Sequence, residues 1–261
     1  MGAVLIADAA LPLNLSRQHK EVPSYLAFSV APNYPSLVQD LERFLHPSEI
    51  SYFRGLEFPL RRTSFLLGRH AAKQALAAFL REPDPTLIEI CTGTFCQPLV
   101  KYSSAETPEL TIAHCQDAAV AIACQTGHPV GVDLEYLDPN KSQVLKSQFT
   151  KVELQLLKRL QESDENSSYL LWTAKEALSK AIKCGLTVPF EILEVKEIHQ
   201  TAARAYVSLF KNFSQFQAHS WIEDPHVLSI TLPRRTCLEV NPLKALQAVA
   251  FGRGGQRNEF T

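Results

Sequence analysis

Asp133 and Glu135 stand two residues apart in Gly131-Val132-Asp133-Leu134-Glu135. If that segment is a strand, both carboxylates leave the same face, because strand side chains alternate. Val130, Val132 and Leu134 then fill the opposite face and fix the acids' orientation. Neighbouring carboxylates repel unless a proton or a cation intervenes, and magnesium is the hard cation that normally also carries phosphate oxygens. A third acid lies in Trp172-Thr173-Ala174-Lys175-Glu176-Ala177-Leu178-Ser179-Lys180, which reads as a helix placing Glu176, Lys175 and Lys180 where a metal-bound phosphate could lie. The chemistry suggested is metal-assisted reaction of a phosphate ester.

Each feature also has a plainer reading. Asp133 and Glu135 could be solvated acids on a half-exposed strand. Glu176 and Lys180, four apart, could be a surface ion pair worth about 0.3–0.5 kcal/mol. Against these stand Gly131, which allows a close approach of backbone or ligand, and the grouping of Lys175, Lys180 and Lys183 on one helix. The other face of that helix (Leu170, Leu171, Ala174, Ala177, Leu178, Ala181) is apolar, and the lysines suit an anionic ligand.

The elements that must hold these residues form a repeat. Ser64-Phe65-Leu66-Leu67 followed by Ala72-Lys73-Gln74-Ala75-Leu76 is echoed by Ser168-Tyr169-Leu170-Leu171 followed by Ala174-Lys175-Glu176-Ala177-Leu178, the second copy being two residues shorter in the middle. Similar amphipathic stretches, 48–54 and 151–157, precede the two copies. The expectation is an α+β fold of two similar α/β halves related by a pseudo-twofold axis. Residues 1–128 form the first half, 129–236 the second and 237–261 a partly mobile tail; chance likeness of two amphipathic helices is the alternative. In the first half, 25–30, 87–91 and 118–124 read as strands, and 35–45 and 61–80 as helices. In the second, 130–135 is a strand, and Thr150 with Glu153 makes a capping box, stapled by Phe149 and Leu154, that starts a helix. A polar loop over 161–168 leads to a helix over 168–183, and 192–198, 203–210 and 226–232 are strands.

Composition bounds the class. A chain of 261 residues with 46% hydrophobic content can bury a sizeable core. Its formal net charge of -1 gives no reason to expect nucleic acid or an anionic membrane as partner, so any basic site is local. The six cysteines lack CxxC spacing and read as small core residues of a reducing compartment, with neither a structural zinc site nor a disulfide framework indicated. The amino terminus lacks a basic stretch, Ile6 argues against myristoylation, and no run is long enough to span a membrane. A cytoplasmic protein is expected.

These segments meet in a family resemblance. Residues 131–135, a gap of about forty residues, and 172–180 together resemble the signature of the 4'-phosphopantetheinyl transferase superfamily. Leu66-Leu67-Gly68-Arg69, Phe95-Cys96-Gln97-Pro98 and Leu110-Thr111-Ile112-Ala113-His114-Cys115 extend the likeness to the long, pseudodimeric Sfp-type enzymes, such as enterobactin synthetase component D. The resemblance implies a transferase that moves the 4'-phosphopantetheine arm of coenzyme A to a serine of an apo acyl or peptidyl carrier protein, leaving 3',5'-ADP. It implies Mg2+, with Mn2+ possible, on Asp133, Glu135 and Glu176. Glu176 also takes the serine proton, and Lys180 sits on the diphosphate. Arg62, Arg69 and His114 would handle the nucleotide-end phosphates, and Lys175 would assist them or face solvent. Two positions depart from the family pattern: Ala113 where Ser is common, and Gln97 where a basic residue often precedes the proline. Both changes would weaken coenzyme A contacts and leave the acids untouched. A carrier would dock on 149–160, with Lys151, Lys158 and Arg159, and internal duplication implies a monomer. A metal-dependent phosphohydrolase and a non-catalytic carrier-binding scaffold are the competing classes.

Overall fold

The computed structural model describes residues 10–103, 107–201, 205–238, 242 and 245. After the short strands β1 (Leu11–Pro12), β2 (Leu15–Arg17) and β3 (Lys20–Val22), the first half runs β4 (Ser24–Val30), α1 (Tyr34–Gln39), α2 (Leu41–Phe44), α3 (Pro47–Arg54) and α4 (Pro59–Leu80). It continues through β5 (Glu89–Thr92), β6 (Pro98–Lys101), β7 (Glu109–His114) and β8 (Ala118–Cys124). The second half repeats that order: β9 (Gly131–Tyr136), α5 (Ser142–Lys146), α6 (Lys151–Leu157), α7 (Asp164–Ala181), β10 (Val195–Gln200), β11 (Tyr206–Phe210), β12 (Phe216–Glu223) and β13 (His226–Pro233). A last strand, β14 (Thr236–Leu238), pairs with β2, tying the end of the second half back to the start of the chain.

The mixed α+β class is as expected. One sheet has the order β1-β4-β8-β7 and the other β10-β11-β12-β13-β9, both antiparallel, with β5–β6 and β14-β2-β3 as smaller sheets. Leu26, Val120 and Ile122 on one sheet meet Val132, Leu134, Leu228 and Ile230 on the other in one buried cluster. The outer faces are covered by α4 and α7, each against its own sheet. The result is four layers, helix on sheet on sheet on helix. Strand alternation explains it: in β9 the even residues enter the inter-sheet core, and the odd residues, including both acids, face α7.

Capping sets the helix starts. In α6, the Thr150 hydroxyl accepts the Glu153 N–H at 3.2 Å while the Thr150 N–H donates to Glu153 Oε2 at 2.8 Å, as the sequence predicts. His46 and Glu49 make the matching box on α3, with Pro47 at its first position. Other expectations need correction. The stretch 161–168 is not all loop, because the Ser163 hydroxyl accepts the Asn166 N–H and Asp164 and Glu165 favour the helix N-terminus, so α7 starts at Asp164. The expected helix over 35–45 divides at Asp40. Residues Phe190–Leu193 form a 3-10 turn ahead of β10, and β6, β7 and β12 were not anticipated. Ala203, Arg204 and the glycine-rich 252–259 lie outside the described residues.

The repeat is in register on Lys73 and Lys175, and this revises the sequence echo. Each helix is continuous, so a two-residue gap inside it would rotate one face by about 200°. The match of 64–67 to 168–171 therefore does not superpose once the lysines are aligned.

Candidate active site

Gly131 determines how close α7 lies to β9. A Cβ there would stand 1.9 Å from the Ala177 carbonyl oxygen and 2.6 Å from the Ala181 nitrogen, so only glycine lets the helix backbone sit on the strand. That contact brings Glu176 and Lys180 of α7 over Asp133 and Glu135. Lys180 Nζ lies 2.7 Å from Asp133 Oδ1, and the Trp172 indole N–H donates to Glu135 Oε1 at 3.2 Å.

The site is short of positive charge. Burial first, and then the Asp133 charge, pushes the Glu135 and Glu176 carboxyls up to about 7. Asp133 Oδ2 is buried without a hydrogen-bond partner. Three oxygen-donor side chains, one orphaned carboxylate oxygen and two proton-holding neighbours fit a hard divalent cation such as Mg2+ or Mn2+. Lys180 is the local countercharge, lowering both glutamates. The three acids stand wider apart than a closed ligand cage. Among the described residues, the group whose ligand atoms come within 4.8 Å of one another is a different one, Cys115, Asp117 and His226.

From the acids the site continues across β7. His114, at the end of that strand, is held below the usual imidazole range, first by desolvation against the pocket wall and then by the Lys180 and Arg61 charges. It lines a cleft of about 450 Å³ floored by Phe65, Gly68 and Ile112, with Arg61 and Arg69 on its α4 side. Arg69 donates to the Ile90 carbonyl at 3.2 Å and lies 3.1 Å from Glu49 Oε1, an ion pair too bent to be a hydrogen bond. A second, more apolar groove on the other side of Lys180 is lined by Phe95, Pro98, Leu110, Val130 and Lys183.

The structure thus gathers Asp133, Glu135, Glu176, Lys180, His114 and Arg69, and turns five named residues elsewhere. Lys175 is fully buried, paired with Glu153 at 2.9 Å and stacked over Phe190. It neither reaches the cleft nor faces solvent, because it points 100° away from Glu176 around the helix. Arg62 donates to the carbonyls of Phe53 and Leu56 at 3.1 and 2.9 Å and lies over the Phe53 ring, locking α3 to α4. Ala113 points into the inter-sheet core, opposite to Ile112 and His114, so a serine hydroxyl at this position would not enter the cleft. Gln97 folds back on its own hairpin, where Oε1 accepts the Phe95 N–H at 2.8 Å. Lys183, grouped with the others in the sequence, pairs with Glu109 at 2.6 Å.

Two participants were missed. Arg61 lines the cleft in the place given to Arg62; the face formed with Phe65, Gly68 and Arg69 at positions +4, +7 and +8 was the available signal. Trp172 was quoted without a role, and nothing local in sequence reveals its bond to Glu135, 37 residues away.

Fold and site together define a four-layered α+β scaffold with a group of acids beside a basic cleft. Residues 129–231 match the family model of the 4'-phosphopantetheinyl transferase superfamily. A holo-(acyl-carrier-protein) synthase from Bacillus anthracis str. Ames, solved in complex with CoA (3',5'-ADP), is similar at 22% identity over 44% of this chain and 96% of that one, with a TM-score of 0.36. The Thermotoga maritima holo-[acyl-carrier-protein] synthase is similar at 18% identity over 54% of this chain and 76% of that one, TM-score 0.32. No curated protein matches the chain significantly. No helix of the described residues is long and apolar enough to cross a membrane.

Proposed function

We propose that this chain transfers the 4'-phosphopantetheine arm of coenzyme A to a serine of an apo acyl or peptidyl carrier protein, releasing 3',5'-ADP, as an Sfp-type member of its superfamily. The observation that carries the reading is the partly buried acid group at the α7–β9 contact, with His114, close enough to feel the Asp133 and Lys180 charges, lining the neighbouring cleft together with Arg61 and Arg69.

In this reading the cleft takes the nucleotide end. Arg61 and Arg69 face its phosphates as charge-assisted donors, and the neutral His114 adds a hydrogen bond. Lys180 swings from Asp133 to the diphosphate. Asp133, Glu135 and Glu176 would hold a divalent cation, which when bound would offset charge growing on the diphosphate. Glu176 is the general base and accepts the proton of the carrier serine. The serine oxygen forms a bond to the phosphorus bearing the pantetheine arm, the anhydride bond to that phosphorus breaks, and 3',5'-ADP leaves with the electron pair. The exposed Val152, Lys151, Lys158 and Arg159 of the stretch 149–160 form the docking face for an acidic carrier helix. The two halves supply one complete site, so the active form is a monomer, in the cytoplasm.

The test is one incubation of the chain with apo carrier, coenzyme A and Mg2+, read by mass. Gain of the phosphopantetheine arm on the carrier is expected. Conversion of coenzyme A without carrier modification would make the protein a phosphohydrolase, and carrier binding with neither change a scaffold. Arg69→Ala and Arg61→Ala should raise KM for coenzyme A about tenfold, the worth of one charge-assisted contact, while Arg62→Ala should leave it unchanged.

A further inference from the structure

Beside the acid site, but separate from it, three side chains of different chemistry converge where the two halves meet. Cys115 and Asp117 come from the β7–β8 turn of the first half, and His226 opens β13 of the second, 109 residues after Asp117. Asp117 Oδ1 lies 3.3 Å from Cys115 Sγ and 3.2 Å from His226 Nε2, and the three ligand atoms all fall within 4.8 Å of one another. His226 is fully buried, and Tyr136 meets its ring edge-on at 5.6 Å. The Asp117 side chain is 15% exposed, so the cluster has an opening to solvent.

The geometry points to a zinc site, and we propose that Cys115, Asp117 and His226 bind one Zn2+ with a water as fourth ligand. Zinc binds thiolate, imidazole and carboxylate at about 2.0–2.3 Å, so the edges of its tetrahedron are roughly 3.3–3.7 Å. The two observed separations from Asp117 Oδ1, 3.3 and 3.2 Å, are at or just below the lower edge of that range. Soft thiolate and neutral imidazole select zinc over magnesium, whereas the all-oxygen set of Asp133, Glu135 and Glu176 does the reverse. The ion would replace the thiol proton and the Nε2 proton that Asp117 now accepts, moving the imidazole to its Nδ1–H tautomer. One release to solvent, that of the thiol, accompanies binding. Because the ligands come from both halves, the ion would clamp them together and fix the turn that follows His114. This assignment stands independently of the transfer reaction.

The test uses the full chain stripped of metal and titrated with Co2+, a spectroscopic stand-in for zinc. One equivalent should produce tetrahedral visible bands and a thiolate-to-cobalt charge-transfer band in the near ultraviolet. Both should be displaced by Zn2+, lost in Cys115→Ser and in His226→Gln, and kept in Asp133→Asn, whose oxygen site cannot give a thiolate band. Zn2+ should also raise the Tm of the wild type and not that of Cys115→Ser. Absence of a thiolate band, or its persistence in Cys115→Ser through another cysteine, overturns the assignment and leaves the trio a hydrogen-bonded cluster around Asp117.

Discussion

The two halves build the same frame and fill it differently. In each, a capping-box glutamate is buried against a lysine on the long helix: Glu49 with Lys73 at 2.8 Å, and Glu153 with Lys175 at 2.9 Å. Each glutamate also accepts the N–H of its own N-cap residue and of the following strand, at Ile90 and Val195. With the lysines aligned, His70 stands where Trp172 does, and Gln74 where Glu176 does. His70 Nδ1 lies 3.0 Å from Ser29, just as Trp172 holds Glu135, which places Ser29 opposite Glu135 and Ala27 opposite Asp133. Tyr25, edge-on to Phe79, corresponds to Gly131, on which Ala181 rests. The first half therefore lacks all three acids and has room for an aromatic ring where the second brings backbone onto backbone. The shared glutamate–lysine pair belongs to the frame; the acids belong to one half's chemistry.

That division can be broken at either level. The largest effects are expected in the frame. Lys175→Met strands the buried Glu153 carboxylate and should cost about 3–5 kcal/mol by denaturant unfolding, and Lys73→Met, which leaves Glu49 its Arg69 partner, should cost somewhat less. A loss confined to one of the two would show that the halves are not built alike. Next comes chemistry: Glu176→Gln should lower turnover at least about a hundredfold, while Gln74→Glu in the other half should leave it unchanged in a carrier-modification assay. Equal sensitivity would end the claim that one half holds the site. Gly131→Ala should destabilise by about 1–3 kcal/mol through overpacking, seen as a lower Tm, whereas Tyr25→Phe should change it little.

The smallest effect is a pH dependence peculiar to the second half. Glu135 and Glu176 hold their protons up to about 7 in the fold against 4.5 ordinarily. Without a cation their neutral forms favour the folded state, so this contribution is complete below about pH 4.5 and is lost as pH rises through 7. Mg2+ competes with those protons and should raise Tm by more near pH 8 than near pH 5. A Tm shift independent of pH would remove these carboxyls from the cation site.

Much of this was legible because it is periodic or local. The two-residue alternation of 131–135 placed both acids on one face, the Thr150–Glu153 box started α6, and the glycine before the acids announced a close approach. Lys73 and Lys175 were visible as a repeat but not as a buried device, since Lys175 in an amphipathic helix looks the same in sequence whether it faces solvent or a glutamate 22 residues earlier. Arg62 and Arg61 are likewise adjacent. Only the turn of α4 against α3 decides which one spends its guanidinium on carbonyls and which faces the cleft.

The chain's order of residues settled the α+β class, the acid motif and the helix starts, because those depend on spacings of two to four residues along one element. Tertiary packing settled which cations reach the cleft, what the capping glutamates hold, and how Cys115 and Asp117 meet His226. Those partners lie up to 111 residues apart, and their distances are fixed by how two sheets stack rather than by any local period.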